Sequence, residues 1–344
     1  MTAAAPGRSV RAEVLEFLGS PRFSAALATA IVSTGFLAFL LQKLIGWPGL
    51  LAIVTGLVVL ALVSLLSRRE ELEWRGILPI SVIAFLGWSV VSIFWSDYQW
   101  STLGGIAYQV AFAVLATFVA LARDVIQIVR TFGDVLRVVL GLSLVLEVFS
   151  GLLVDSPIRF LSISGNLDRG GPIQGVEGTR NQLGLVAIIA LVTFGTELFT
   201  RSLNRVLAIV SIAVAGLCIL FSQSPVSFGV LGVLGIASVI LLGLRRLKPE
   251  TRRVWQTMLG VASIITIFLV YVFRARVIEL LNAGSEFSYR VDLWHTLLAL
   301  IQQHLLEGFG WVGSWRPEIQ PFIAINEASP QAHQSALNAF LDVW

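Results

Sequence analysis

Long apolar runs, separated by short polar breaks that carry arginines, fill the chain as far as about residue 273. A helix rising 1.5 Å per residue needs about twenty mainly apolar residues to cross a hydrocarbon core about 30 Å thick. By that rule the pattern predicts spanning helices over 24–41, 49–66, 77–95, 104–122, 135–154, 181–199, 205–221, 225–243 and 256–273. The fold class is therefore all-α: a polytopic transmembrane helix bundle of about nine spans, occupying 1–273.

From Arg274 to Trp344 the pattern is amphipathic, which predicts a large loop outside the hydrocarbon with short helices of its own. Ser285 is placed to cap a helix whose apolar positions Phe287, Val291, Trp294, Leu298, Ile301 and Leu305 recur at helical spacing, with Gly308 and Gly310 as its stop. Arg290 and Trp294 lie four apart and so share a face. A second helix is predicted from Ser329 as cap with Pro330 in its first position, and His333, Leu337, Phe340 or Leu341, and Trp344 then form one stripe. There the positive end of the helix dipole disfavours the imidazolium, leaving His333 as a neutral ring able to accept a proton. His295 and His304 fall off the first helix's stripe and are expected in water.

Composition agrees with the pattern. Of 344 residues, 56% are hydrophobic and 13% charged, against about half and about a quarter in soluble domains. One cysteine and three histidines exclude an internal disulfide and leave no ligand set for a structural zinc site. A net charge of +3 gives no reason to expect nucleic acid. The first apolar run has no small-residue cleavage site after it and reads as a retained helix. Sixteen of the 24 lysines and arginines fall in the N-terminal tail and alternate loops, and eight in the others. Cytoplasmic loops keep the excess, so the N-terminus is expected in the cytoplasm and 274–344 outside.

Two outward loops stand out. Trp95 to Trp100 is short and reads as an aromatic anchor at the membrane interface. The glycine-rich stretch from Asp155 to Arg180 feeds directly into a helix opening Gly178-Thr179-Arg180-Asn181-Gln182-Leu183-Gly184. The unpaired amides of such a start attract phosphate, and Arg180 adds a guanidinium matched to it, although an arginine snorkelling to lipid headgroups explains the same residues. Within the spans Glu147 is the carboxylate placed deepest, with Arg137 and Glu197 near span ends. An ionisable group in a span is a functional candidate.

Four places resemble the O-antigen ligase and O-antigen polymerase superfamily of bacterial membrane glycosyltransferases: Ser92-Ile93-Phe94-Trp95-Ser96-Asp97, the Gly178 to Gly184 helix start, Arg290-Val291-Asp292-Leu293-Trp294 leading to Gly308-Phe309-Gly310, and Ala332-His333. The resemblance covers the chain from about Ser92 onward and rests on order, spacing and membrane side together. It implies a chain of the bacterial cytoplasmic (inner) membrane that moves a glycan from a polyprenyl diphosphate carrier to an acceptor hydroxyl on a glycan, lipid or protein, without cofactor or metal. It also implies that Arg290 holds the donor diphosphate and that His333 is the base. Arg180 and Asn181 match the family's polar helix start, and phosphate contact there is inferred, with Trp294 and Gln334 in support. Two positions depart from the family. Phe221-Ser222-Gln223-Ser224-Pro225 has proline where relatives commonly have a basic residue, and Gln334 stands where they have asparagine. Relatives also continue into further spans beyond the position of Trp344, so a shortened chain is expected.

Two rival readings stay open. A transporter or flippase of lipid-linked sugars would need polar residues along a central path, coupled to intramembrane charges in related halves, and such charges are sparse here. A peptidoglycan polymerase of the shape, elongation and division family would rest on a carboxylate in an outward loop, for which Asp292 and Glu307 are weaker candidates than His333 and Arg290.

Overall fold

The computed structural model describes residues 16–70, 78–280, 284–302, 304–305, 307–313, 315–327, 333 and 335–343. Among these residues the regular structure is helical apart from one isolated bridge between Ile158 and Ile163. Each expected span is met by an apolar helix: α1 Pro21–Phe36, α2 Ala38–Ser67, α3 Ile80–Val91, α4 Gln99–Ala122, α5 Val125–Val148, α6 Arg180–Thr200, α7 Arg205–Ser222, α8 Pro225–Arg246 and α9 Pro249–Val272. Seven of them, all but α1 and α3, are long and apolar enough to cross a membrane. Beyond them come α10 Arg274–Leu280, α11 Gly284–Ile301, α12 Phe322–Glu327 and α13 Ala339–Val343.

The first boundary differs from expectation. α1 opens on Ser20, whose hydroxyl accepts from the Phe23 amide at 3.2 Å, but it ends at Phe36. The next residues already belong to α2, which is two pieces joined at Gly46 (φ 72, ψ 176). Glycine adopts that angle without a Cβ penalty, and Pro48 cannot supply the amide that would carry the helix through. Trp47 thus stands at the bend.

The chain divides into two compact units, Met1–Val135 with Tyr289–Trp344, and Leu136–Ser288. In the first, Leu27, Ala28 and Ile31 of α1, Leu50, Val54, Leu57, Ala61 and Leu65 of α2, and Leu115, Phe118 and Val119 of α4 form one core. Its positions repeat every three or four residues, the spacing that lines one side of a helix.

The same unit holds the C-terminal segment on the turn after α3. Ser92 Oγ accepts the Trp311 amide at 2.9 Å, and the Tyr98 hydroxyl accepts the Gln320 amide at 3.2 Å. Gly310, at φ 89, lies where a Cβ would meet Ser96 at 2.6 Å, and a Cβ on Gly105 would meet the Val312 carbonyl at 2.7 Å. The stretch expected to be only an interfacial anchor is therefore also a seat for the loop. At its ends Phe94 and Trp100 are 83% and 86% exposed.

In the second unit α6 and α7 pack most closely, and the charges of the spans find partners within it. Arg137 of α5 pairs with the buried Glu197 of α6, donates to Ser211 Oγ of α7 at 2.9 Å and lies over the Phe194 ring. Glu147, almost fully buried, accepts the amides of Gln174 and Gly175 at 2.7 and 2.8 Å. An intramembrane carboxylate holding two backbone donors is a structural anchor whose bonds offset its desolvation, which leaves the coupling role expected of a transporter without support at this residue.

Candidate functional site

The helix start at Arg180 is built as a tight turn. Gly175 (φ 58) and Gly178 (φ 77) take left-handed angles around the short 3-10 turn Gly175–Glu177, and Ser143 Oγ accepts the Val176 amide at 3.2 Å. A Cβ on Gly175 would meet the Ser143 Cβ at 2.5 Å, so the close approach of loop to α5 requires glycine. Thr179 then caps α6 by accepting the Gln182 amide.

The Asn181 side chain is already engaged in structure. Its Oδ1 accepts from Ser224 Oγ at 2.6 Å, and Ser224 is itself the cap of α8, accepting the Ser227 amide at 3.1 Å. Asn181 thus ties the starts of α6 and α8 together, and Pro225 occupies the first turn of α8, where its missing amide costs nothing. Gly184 permits the pairing, because a Cβ there would lie 2.1 Å from Ser227 Oγ. Beside this start, Glu177 is buried with Oε1 unpartnered among the described residues, and burial pushes its carboxyl up to about 7.

His333 lies in the other unit, and its surroundings correct the expectation. It is not near the start of a long helix: 335–338 is irregular and α13 begins only at Ala339. Asn338 caps that helix, its Oδ1 accepting the Phe340 amide at 3.0 Å. Leu337 turns left-handed at φ 53, and Asp342 Oδ1 takes the Ala336 amide at 2.7 Å. The expected caps Ser329 and Pro330 lie outside the described residues, as does the expected supporting residue Gln334. The helix dipole therefore does not account for the state of His333.

Burial does. His333 is 4% exposed, and desolvation lowers its pKa. The Tyr289 ring stacks on the imidazole with centroids 4.9 Å apart at 27°, and the Tyr289 hydroxyl is 3.1 Å from Nδ1. Burial raises the Tyr289 pKa, which keeps it a neutral phenol. The His333 amide donates to Asn326 Oδ1 at 2.7 Å, and Asn326 Nδ2 is buried with no hydrogen-bond partner among the described residues. Tyr289 and Asn326 were not singled out from the sequence. Tyr289 directly precedes Arg290, but Asn326 carries no motif signal and is found only through the fold.

Arg290 and Trp294 belong to the same unit as His333. The Trp294 indole donates to the Ala336 carbonyl at 2.9 Å, fixing the His333 segment to α11. Half-buried Arg290 sits one helical turn before Leu293 and Trp294, at the edge of the packed face, as expected. The packed stripe itself is rotated from the predicted one. Leu293, Leu297 and Ile301 are buried, while Phe287, Leu298 and Leu305 are exposed. In a segment this apolar, several stripes satisfy helical spacing, and the choice falls to Trp315, Phe322 and Ile325, which pack on Leu293 and Leu297. His295 is exposed, and His304 pairs with Glu307 at 3.2 Å. Arg180 and Asn181 belong to the second unit. Among the described residues, no group of three or more His, Cys, Asp or Glu side chains comes together that would hold a metal ion.

No curated protein and no solved structure matches this chain. Residues 210–344 match the family model described as O-Antigen ligase, a stretch that includes Arg290, Trp294 and His333 but not Arg180 or Asn181. Over these residues the chain is similar to the O-antigen ligase family.

Proposed function

We propose that the chain is a membrane glycosyltransferase that moves or polymerises a glycan from a polyprenyl diphosphate carrier onto an acceptor hydroxyl at the outer face of the cytoplasmic membrane. The observation that carries this reading is the buried His333, stacked and hydrogen-bonded by Tyr289 within the stretch that matches the family. A desolvated imidazole stays neutral near pH 7 and is available as a base. We assign Nδ1–H as donor to the Tyr289 oxygen, the tautomer that leaves a lone pair on Nε2 for the acceptor proton.

In the reaction, the acceptor oxygen forms a bond to the anomeric carbon as the bond from that carbon to the diphosphate breaks. The hydroxyl proton passes to His333, and the carrier diphosphate departs with the electron pair. One displacement inverts the anomeric centre. The leaving group is already a good one, so the protein's main work is positioning the two substrates and stabilising charge on the departing oxygens. Arg290 supplies a guanidinium for that charge, and Arg180 with the start of α6 is a second candidate. Asn181 acts there by positioning, since its carbonyl oxygen already holds Ser224. Guanidinium groups in this role make a metal unnecessary.

The test is transfer from a purified polyprenyl diphosphate oligosaccharide by the full chain in liposomes, with chelator present. Transfer that survives chelation and is lost in His333→Ala and Arg290→Ala supports the reading, and product length separates polymerase from ligase. Wild-type rates in both variants would remove the site assignment. Absence of transfer across glycan, lipid and protein acceptors would favour a transporter of lipid-linked sugars.

A further inference from the structure

A cavity of 660 Å³ lies within the first unit, between the bend of α2, the start of α4 and the 311–318 loop. Its size falls within the roughly 300–1,000 Å³ of small-molecule sites. We propose that this cleft seats sugar rings of the acceptor glycan, an assignment that rests on the transferase reading above.

Four aromatic side chains line it: Trp47, Tyr108, Trp311 and Trp315. Their rings are held in place before any ligand arrives. Trp47 meets Tyr108 edge to face with centroids 6.0 Å apart, and Tyr108 rests on Phe112 at 4.8 Å. Trp311 stands edge-on to Phe85 at 5.3 Å while Ser92 holds its amide, and Trp315 stacks on Phe322 at 5.1 Å. Preorganised rings lose little freedom on binding. Gly104 and Gly105 leave the wall of α4 without side chains, so the opening stays wide where the loop comes closest. These rings differ from Phe94 and Trp100, which are almost fully exposed.

The polar part of the lining decides the occupant. The amides of Gln42 and Gln109, each both donor and acceptor, face the same space, with the exposed Arg316 and Glu318 at its rim. A sugar ring has an apolar C–H face and an edge of hydroxyls that donate and accept, which matches indole faces beside amides. A prenyl chain would leave both amides without partners, a desolvation cost with no return. A diphosphate would meet one guanidinium opposed by a carboxylate. Within the unit, Trp315 also packs in the cluster containing Ile325 and Ala336, on either side of His333 in the chain. A ring seated in the cleft therefore belongs with the group being deprotonated, the acceptor, rather than with the carrier.

The test measures acceptor and donor KM separately for the full chain and for Trp47→Ala, Trp47→Phe and Gln109→Ala. Trp47→Ala and Gln109→Ala are expected to raise acceptor KM about fivefold to tenfold, the scale of one lost stacking or amide contact. Donor KM stays unchanged and kcat stays within about twofold. Trp47→Phe keeps an aromatic face and restores most of the affinity, which separates stacking from misfolding. Unchanged acceptor KM, or a rise confined to donor KM, overturns the assignment while the transferase reading stands. If the wild-type chain transfers nothing, the transferase reading fails separately. Titration with free lipopolysaccharide core oligosaccharide, followed by tryptophan fluorescence, then decides the cleft: quenching lost in Trp47→Ala keeps it as a glycan site, and no quenching overturns it.

Discussion

Replacing Tyr289 with phenylalanine isolates one interaction at the candidate base. The ring stacked 4.9 Å from the His333 imidazole is retained, and only the hydroxyl 3.1 Å from Nδ1 is removed. A single neutral hydrogen bond of this kind is worth a net 0.5–1.5 kcal/mol, so kcat should fall about 2- to 12-fold. The fall should stay well short of the roughly 10²- to 10⁴-fold lost when a general base is removed, which is the range expected for His333→Ala. The pH profile supplies an independent readout. The base works when neutral, and burial holds its pKa below the usual 6.5, so wild-type kcat should be level above that value and fall as the pH drops through a midpoint beneath it. The bond from Nδ1–H to the Tyr289 oxygen favours the imidazolium, so Tyr289→Phe should carry the midpoint to still lower pH. Steady-state transfer rates from about pH 4.5 to 8 measure both effects. An unchanged kcat with an unmoved acid limb in Tyr289→Phe would refute the proposed orientation of His333, and a wild-type profile without an acid limb would refute its role as base.

Three further outcomes follow from buried charges and close approaches in the second unit. Burial raises the folded-state pKa of Glu177 from 4.5 to about 7, so the folded protein holds a proton there that the unfolded chain has released. The destabilisation from the carboxylate is absent below the unfolded value, grows between the two values and is complete above about 7. Glu177→Gln should therefore match the wild-type thermal midpoint near pH 4 and exceed it at pH 8, and an equal gap at both would contradict this. Gly175→Ala adds a Cβ 2.5 Å from Ser143 at a left-handed φ and should cost about 1–3 kcal/mol, read as a lower melting temperature; a neutral result would show that the turn relaxes. Arg137→Met leaves the Glu197 carboxylate buried opposite an apolar chain and should cost about 3–5 kcal/mol. Adding Glu197→Gln should recover much of that loss, whereas additive losses would argue against the pair.

The apolar pattern determined most of the architecture. Of the nine stretches expected to span, seven became helices long and apolar enough to cross a bilayer among the described residues, because a backbone in hydrocarbon has to satisfy its own hydrogen bonds and the helix is the local way to do so. The start of α6 directly after the glycine-rich loop was equally local and therefore legible. What the tertiary structure alone decided is every choice between local solutions of similar energy. The last described helix opens on Asn338, whose Oδ1 accepts the Phe340 amide, while the Asp342 carboxylate reaches back to take the Ala336 amide. The packed face of α11 was settled by Trp315 and Phe322, which lie more than ten residues further along the chain. His333 owes its lowered pKa to burial in a site that brings Tyr289 onto it from 44 residues away in sequence, and not to a helix end. Sequence periodicity records which residues can share a face. Desolvation depends on what lies over that face, and only the folded chain supplies it.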